Sequence, residues 1–357
     1  MKRQTGSQEL NDQLKGGVHR IRNATTENNY GAFNMDTGDC PLLRKDRLCA
    51  LQIEKGHEAL PAVCRNFPRK QICLASGYLE RSLSPACEGV LALLWDLPDG
   101  VAFLSDPLPK EEQRILTIEE GYPLVPFFAP IREWCVDMLQ DRRFPLSQRI
   151  LLMGMALKEL VDGEEDIAVW LLRARSLPSH AEELLPQSNN ALPMFLSNAL
   201  RTILQIESAA LDFASVQHEI VTGLGVIGHG DSSRATIPLV PYQQARTRYE
   251  EYFGNKDFFI ENLMVSLFFH LQMPALASRE DLWKSYVNFC NLYAFYRFMA
   301  VMSCREGIEP NRDELFRLTV FASRGLIHNG ARQTSLQDEL FQNDSATLAH
   351  MAILLGG

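Results

Sequence analysis

The 357 residues carry 35 Lys and Arg against 44 Asp and Glu, a formal charge of −9, with 46% apolar and 22% charged residues. This is the make-up of a soluble globular chain, long enough for one large or two coupled domains. The acidic balance argues against a nucleic-acid partner, which calls for basic patches, and favours the approach of a lysine-bearing substrate.

Residues 1–30 are polar and hold no apolar h-region, so they read as a loosely ordered tail and not as a signal peptide. The apolar runs Leu151–Leu157 and Leu263–Phe269 are short and flanked by charge, which predicts no membrane insertion. A cytoplasmic location with reduced thiols follows. Residues 31–100 form a cysteine-bearing segment broken by Pro41, Pro61, Pro68 and Pro85, with one short helix expected over Leu51–Leu60. A Pro-rich connector follows over 101–130, where fixed φ angles prevent long helices. From 131 to 357 the apolar residues recur with a 3.6-residue period. Helices are predicted near 131–141, 146–161, 164–176, 179–186, 190–220, 241–254, 257–272, 280–304, 311–328 and 335–354. Ile237–Val240 reads as an extended loop or edge strand, because Pro238 and Pro241 interrupt it. The fold class expected is mainly α: an irregular cysteine-rich N-terminal module followed by an all-α helical body.

Five of the eight cysteines, Cys40, Cys49, Cys64, Cys73 and Cys87, fall within the second segment. No pair has the C-x2-C spacing of a zinc knuckle, so spacing alone does not name the metal. Crowded thiolates in a reducing compartment still point to a metal or cluster. Neighbouring prolines stiffen the loops, and Arg65 and Arg69 can offset thiolate charge. The competing reading is that they are reduced cysteines packed as small hydrophobes.

Three other features carry polar chemistry. Gly223-x-Gly225-x-x-Gly228 matches a dinucleotide fingerprint as a string, but a helical pattern precedes it and a loop follows, so it reads as an interhelical loop. Glu261 and Asn262 interrupt an apolar helix and must be hydrogen-bonded if buried, either to a ligand or as the cap of a neighbouring helix. Arg324 and His328 are i,i+4 neighbours, and Asn329-Gly330 supplies a stop signal after them.

The ordered string Cys40-Pro41, Leu48-Cys49, Leu60-Pro61-x-x-Cys64-Arg65-x-Phe67-Pro68-Arg69 and Ser82-Leu83-Ser84-x-x-Cys87 resembles the flagellin lysine-N-methylase family of flagellated bacteria. Ile131-Arg132-Glu133 through Arg149-Ile150-Leu151, Glu261-Asn262-Leu263, and Ser323-Arg324 with His328-Asn329 extend the resemblance in order. It implies methyl transfer from S-adenosylmethionine to lysine ε-amino groups of flagellin, and an iron–sulfur cluster of the 4Fe-4S kind. Cys40, Cys49, Cys64 and Cys87 match the family's cysteine positions, while Cys73 lies outside the pattern. The family's further cysteine-rich start, with an adjacent Cys-Cys pair and a nearby Trp, has no counterpart in this sequence, so a truncated or divergent start is expected.

Lysine methylation by a polar route needs a neutral amine in line with the methyl sulfonium. Glu261, Tyr286, Tyr293, Tyr296 and His328 are the candidates for lowering the amine's pKa, and Asn262 and Arg324 those for contacting the methyl donor. The C-x3-C-x2-C string of radical donor cleavage is absent from the sequence. The alternative function is a non-catalytic, metal-binding helical module that binds flagellin.

Overall fold

Leu10 and Leu14, one helical turn apart in a polar stretch, give the N-terminal region an apolar edge. In the computed structural model they lie on α1 (Gln8–Gly17), whose N-cap Ser7 accepts a hydrogen bond from the Leu10 amide. The structure describes residues 7–21, 31–34, 39–73, 79–104, 127–163, 166–176, 192–206, 211–226, 237–274, 278–327, 341 and 345–356. The chain forms two units, Met1–Arg69 with Glu207–Val216 and Lys70–Ile206 with Gln217–Gly357.

In the first unit, Leu10 and Leu14 pack with Leu42, Ala50, Leu51 and Leu60. After α1, β1 (Val18–Arg20) pairs antiparallel with β2 (Gly31–Phe33), Val18 opposite Phe33. The stretch read as a loosely ordered tail therefore contains a capped helix. Its two apolar residues were too few to register as a period. α2 (Ala50–Lys55) stops at Gly56, whose φ of +78° suits glycine, and a 3-10 turn over His57–Ala59 follows. The single helix expected over Leu51–Leu60 is thus broken. α3 (Ala62–Asn66) carries Cys64.

Strands β3 (Arg69–Cys73) and β4 (Leu79–Leu83) form a two-stranded sheet. The remaining described elements are helices: α4 (Glu88–Trp95), α5 (Phe128–Leu139), α6 (Leu146–Asp162), α7 (Ile167–Ala174), α8 (Leu192–Gln205), α9 (Leu211–Gly223), α10 (Leu239–Phe253), α11 (Phe258–His270), α12 (Arg279–Met302), α13 (Arg312–Leu326) and α14 (Leu348–Leu355). The chain is mainly helical, as its periodicity predicts. The helix expected at 179–186 lies outside the described residues; of that at 335–354 the structure describes 341 and 345–354, where α14 forms its C-terminal part.

Two expectations fail for physical reasons. The long helix predicted at 190–220 is two, because the Gln217 amide donates to the carbonyls of Ile203 and Ile206 and so closes off the end of α8. Leu239 and Val240 begin a helix instead of an extended loop. Pro238 is its N-cap and Pro241 sits in its first turn, where the missing N–H has no partner to lose.

α12 is apolar on nearly every side and runs through the centre of the second unit, packed by α6, α8, α10, α13 and α14. α11 packs against α4, α5 and β4. Among the described residues no helix is long and apolar enough to cross a membrane.

Candidate functional site

In the first unit a tight loop brings two of the predicted ligands together. The Leu43 amide donates to the Cys40 carbonyl (2.9 Å), Leu43 bridges to Cys49, and Arg47 turns the loop with φ +65°. Cys40 and Cys49 are half-buried against the leucine core, and Cys64 is exposed on α3. Burial pushes the Cys64 thiol up, and negative charge on Cys40 and Cys49 pushes it further. Cys87, at the N-cap of α4, belongs to the second unit. Among the described residues no group of three or more His, Cys, Asp or Glu side chains is arranged to hold a metal ion. The donors are right in kind but do not form a closed ligand set. Cys135, Cys290 and Cys304 are buried core thiols; burial carries Cys290 up to about 12.

Glu261 and Asn262 face different neighbours from adjacent positions on α11. Glu261 is 2% exposed and accepts from Arg142 Nε and Nη2 (3.0 and 2.7 Å) and from Arg149 Nη1 (2.7 Å). Asn262 donates through Nδ2 to the carbonyls of Leu94 (2.9 Å) and Leu97 (2.7 Å), capping α4. With both oxygens held by guanidinium groups, Glu261 is placed as an ion-pair anchor and poorly placed as a base. The Tyr296 hydroxyl donates to Ser323 Oγ (2.8 Å), which in turn donates to the Thr319 carbonyl. Tyr293 is buried, its phenol pushed up by burial and opposed chiefly by the Arg297 guanidinium. Tyr286 lies beside the Cys290 thiol. Burial pushes all three phenols up, away from a role as base. Arg324 is exposed in the last turn of α13, where a cation suits the helix dipole. His328 and Asn329 lie outside the described residues. Gly223 ends α9 and Gly225 follows it at φ +63°, a helix stop as the loop reading expects; Gly228 lies outside the described residues.

A second polar cluster joins the β3–β4 sheet to α5 and α11. Arg132 pairs with Glu80 (2.5 Å), donates to the Phe269 carbonyl (3.1 Å) and lies between the rings of Phe128 (4.9 Å) and Phe269 (4.2 Å). Ser82 Oγ meets His270 Nδ1 at 3.0 Å, and Lys70 Nζ donates to the His270 carbonyl (2.7 Å). Burial pulls the Lys70 ammonium down, with Glu80 opposing. Glu80 Oε2 and Arg132 Nε are buried with no partner among the described residues. A cation, a carboxylate, a hydroxyl and an imidazole here are equipment for holding a polar group and moving a proton. Sequence reasoning missed this cluster because its partners are 52 to 200 residues apart; the alternation of Glu80 and Ser82 along β4 was the available signal.

A third network is structural. Arg305 and Arg317 each bond both Glu219 and Glu314, tying α9 to α13. Burial alone pushes the Glu314 carboxyl up, but hydrogen bonds and charge from Arg317 and Arg305 outweigh it and hold the group below its ordinary 4.5. A carboxyl depressed by folding stabilises fully above its unfolded pKa and loses that contribution as pH falls through the folded value. Stability is therefore expected to decline as pH drops below 4.5, and Glu314→Gln to flatten that decline in urea unfolding run from pH 6 to 3.

A family model described as the FliB lysine N-methylase C-terminal domain matches residues 132–354. The chain belongs to this family. The match starts at Arg132 and takes in α6 to α13, with both Glu261 and Tyr293; the cysteine segment lies ahead of it. The lysine-N-methylase of Salmonella typhimurium strain LT2 is 33% identical over 91 residues, 23% of this chain and 22% of its own length. The lysine-N-methylase of Salmonella choleraesuis strain SC-B67 aligns equally well. The flagellar biosynthetic protein FliU of Salmonella muenchen is 38% identical over 65 residues, 18% of this chain and 38% of its own length. The aligned stretches thus span about a fifth to two fifths of these relatives. No solved structure matches the chain.

Proposed function

We propose that this FliB-family chain is a protein-lysine N-methylase that moves methyl groups from S-adenosylmethionine to ε-amino groups of flagellin. The observation that carries the reading is the family match over residues 132–354, supported by relatives named for lysine methylation and for the flagellum. Attack on the sulfonium methyl forms a C–N bond, releases S-adenosylhomocysteine and requires the ammonium proton to leave first. Among the described polar groups, the Ser82–His270 pair is better suited to take that proton than the arginine-bound Glu261 or the raised phenols. An iron–sulfur cluster is part of the proposal, with Cys40, Cys49, Cys64 and Cys87 as its ligands; the tight loop that brings Cys40 and Cys49 together supports it. Bound there, such a cluster supplies a structural clasp or a redox centre.

The test is incubation of anaerobically prepared, cluster-reconstituted protein with methyl-labelled S-adenosylmethionine and flagellin. Label on flagellin lysines is expected, with at least a tenfold loss on His270→Ala. Flagellin that binds without label would instead mark a non-catalytic binding module.

A further inference from the structure

Lys256 ends the short turn Gly254–Lys256 between α10 and α11. Its Nζ lies 5.2 Å from the centre of the Trp95 ring and 5.1 Å from that of Phe258. The adjacent Asp257 faces Arg297 instead (3.5 Å), and Lys256 makes no ion pair among the described residues. An exposed ammonium ordinarily turns to water or a carboxylate; this one is held by two ring faces from separate helices. Trp95 is fixed from behind by edge contacts with Phe253 (5.9 Å), Phe259 (5.5 Å) and Phe316 (5.9 Å). Trp95, Lys256 and Phe258 are each half-buried, so the ring faces border solvent. Paired aromatic faces bind cations through their quadrupoles, and favour methylated ammonium groups, which shed water more readily than a bare one.

We propose that Trp95 and Phe258 form a binding subsite for lysine and methyl-lysine side chains of a protein substrate, with Lys256 as its internal occupant. The proposal takes its substrate class from the lysine-directed reading above but is measured by binding alone. Lys256 competes with an incoming side chain, and a methylated product competes with it better than an unmodified lysine. The subsite retains a modified region of the substrate while neighbouring lysines are presented.

Short peptides carrying lysine or trimethyl-lysine are titrated calorimetrically into the full chain. Lys256→Ala is expected to bind the trimethyl-lysine peptide at least tenfold more tightly than wild type does, and more tightly than it binds the unmodified peptide. Adding Phe258→Leu, which keeps apolar bulk but removes one ring, is expected to erase the gain. Equal affinity in wild type and Lys256→Ala, or indifference to methylation, overturns the proposal. A readout without substitution uses wild-type protein reductively methylated with 13C-formaldehyde. The Lys256 methyl resonance is expected upfield of free dimethyl-lysine, and its appearance at the free position overturns the proposal too. Failure of methyl transfer to flagellin leaves both readouts untouched, so the two proposals fail separately.

Discussion

Glu261→Ala is expected to cost about 3–5 kcal/mol of stability, the range for stripping a partner from a buried ion pair. Arg149 is only 6% exposed, and without Glu261 its guanidinium keeps only the Leu139 carbonyl as a hydrogen-bond partner among the described residues. Arg142 has a side chain 42% exposed and can turn to water, so its own truncation is expected to cost about 1 kcal/mol. The contrast separates an anchor from a catalytic carboxylate. An anchor shifts the urea midpoint strongly in Glu261→Ala and weakly in Arg142→Ala. A normal midpoint in Glu261→Ala together with lost methyl transfer would return Glu261 to the catalytic candidates.

Gly154→Ala is expected to destabilise by about 3 kcal/mol, at the upper end of ordinary overpacking. In an open helix interior the same change gains about 1 kcal/mol, so the sign itself is diagnostic. Gly154 sits within α6, and a Cβ there falls 1.9 Å from the Tyr286 hydroxyl oxygen and 2.0 Å from the ring carbon bearing it. The ring cannot swing away easily, because Tyr286 is 2% exposed and packs on Trp283 (5.0 Å). Tyr286→Leu in the same chain is expected to recover part of the loss, giving a coupling of about 1–3 kcal/mol in a double-mutant cycle. A wild-type melting curve for Gly154→Ala would count against the close approach of α6 and α12.

The helical body was legible because its signal is local. A run such as Leu282–Met302 keeps its apolar period without interruption, and the structure returns it as α12 with Ser278 as its cap. Errors arose where a distant residue decides the outcome: Gln217 ends a helix formed by residues 11 and 14 positions earlier. Proline misled at Pro238 and Pro241, since the sequence does not say whether a proline breaks a helix or begins one. The choice at Glu261 and Asn262 was foreseen as ligand or cap. Asn262 proved to be a cap and Glu261 an ion-pair partner, because Arg142 and Arg149 approach from more than 100 residues away. The pairs Arg132–Glu80 and Ser82–His270 were not foreseen, since neither residue of either pair carries any local sign of its partner. The cysteine segment told its story only through family likeness; the structure adds that one tight loop brings Cys40 and Cys49 together.

The meeting of α6 with α14 sets the order in which this unit can be built. α14 is the last described helix, yet it packs on α6 and α12. During synthesis α6 leaves the ribosome long before its partner, so its apolar flank stays uncovered until Leu348–Leu355 has emerged. Closure is then a long-range event with a high loop-entropy cost, and the half-made chain depends on protection from aggregation more than an up-and-down bundle of equal size.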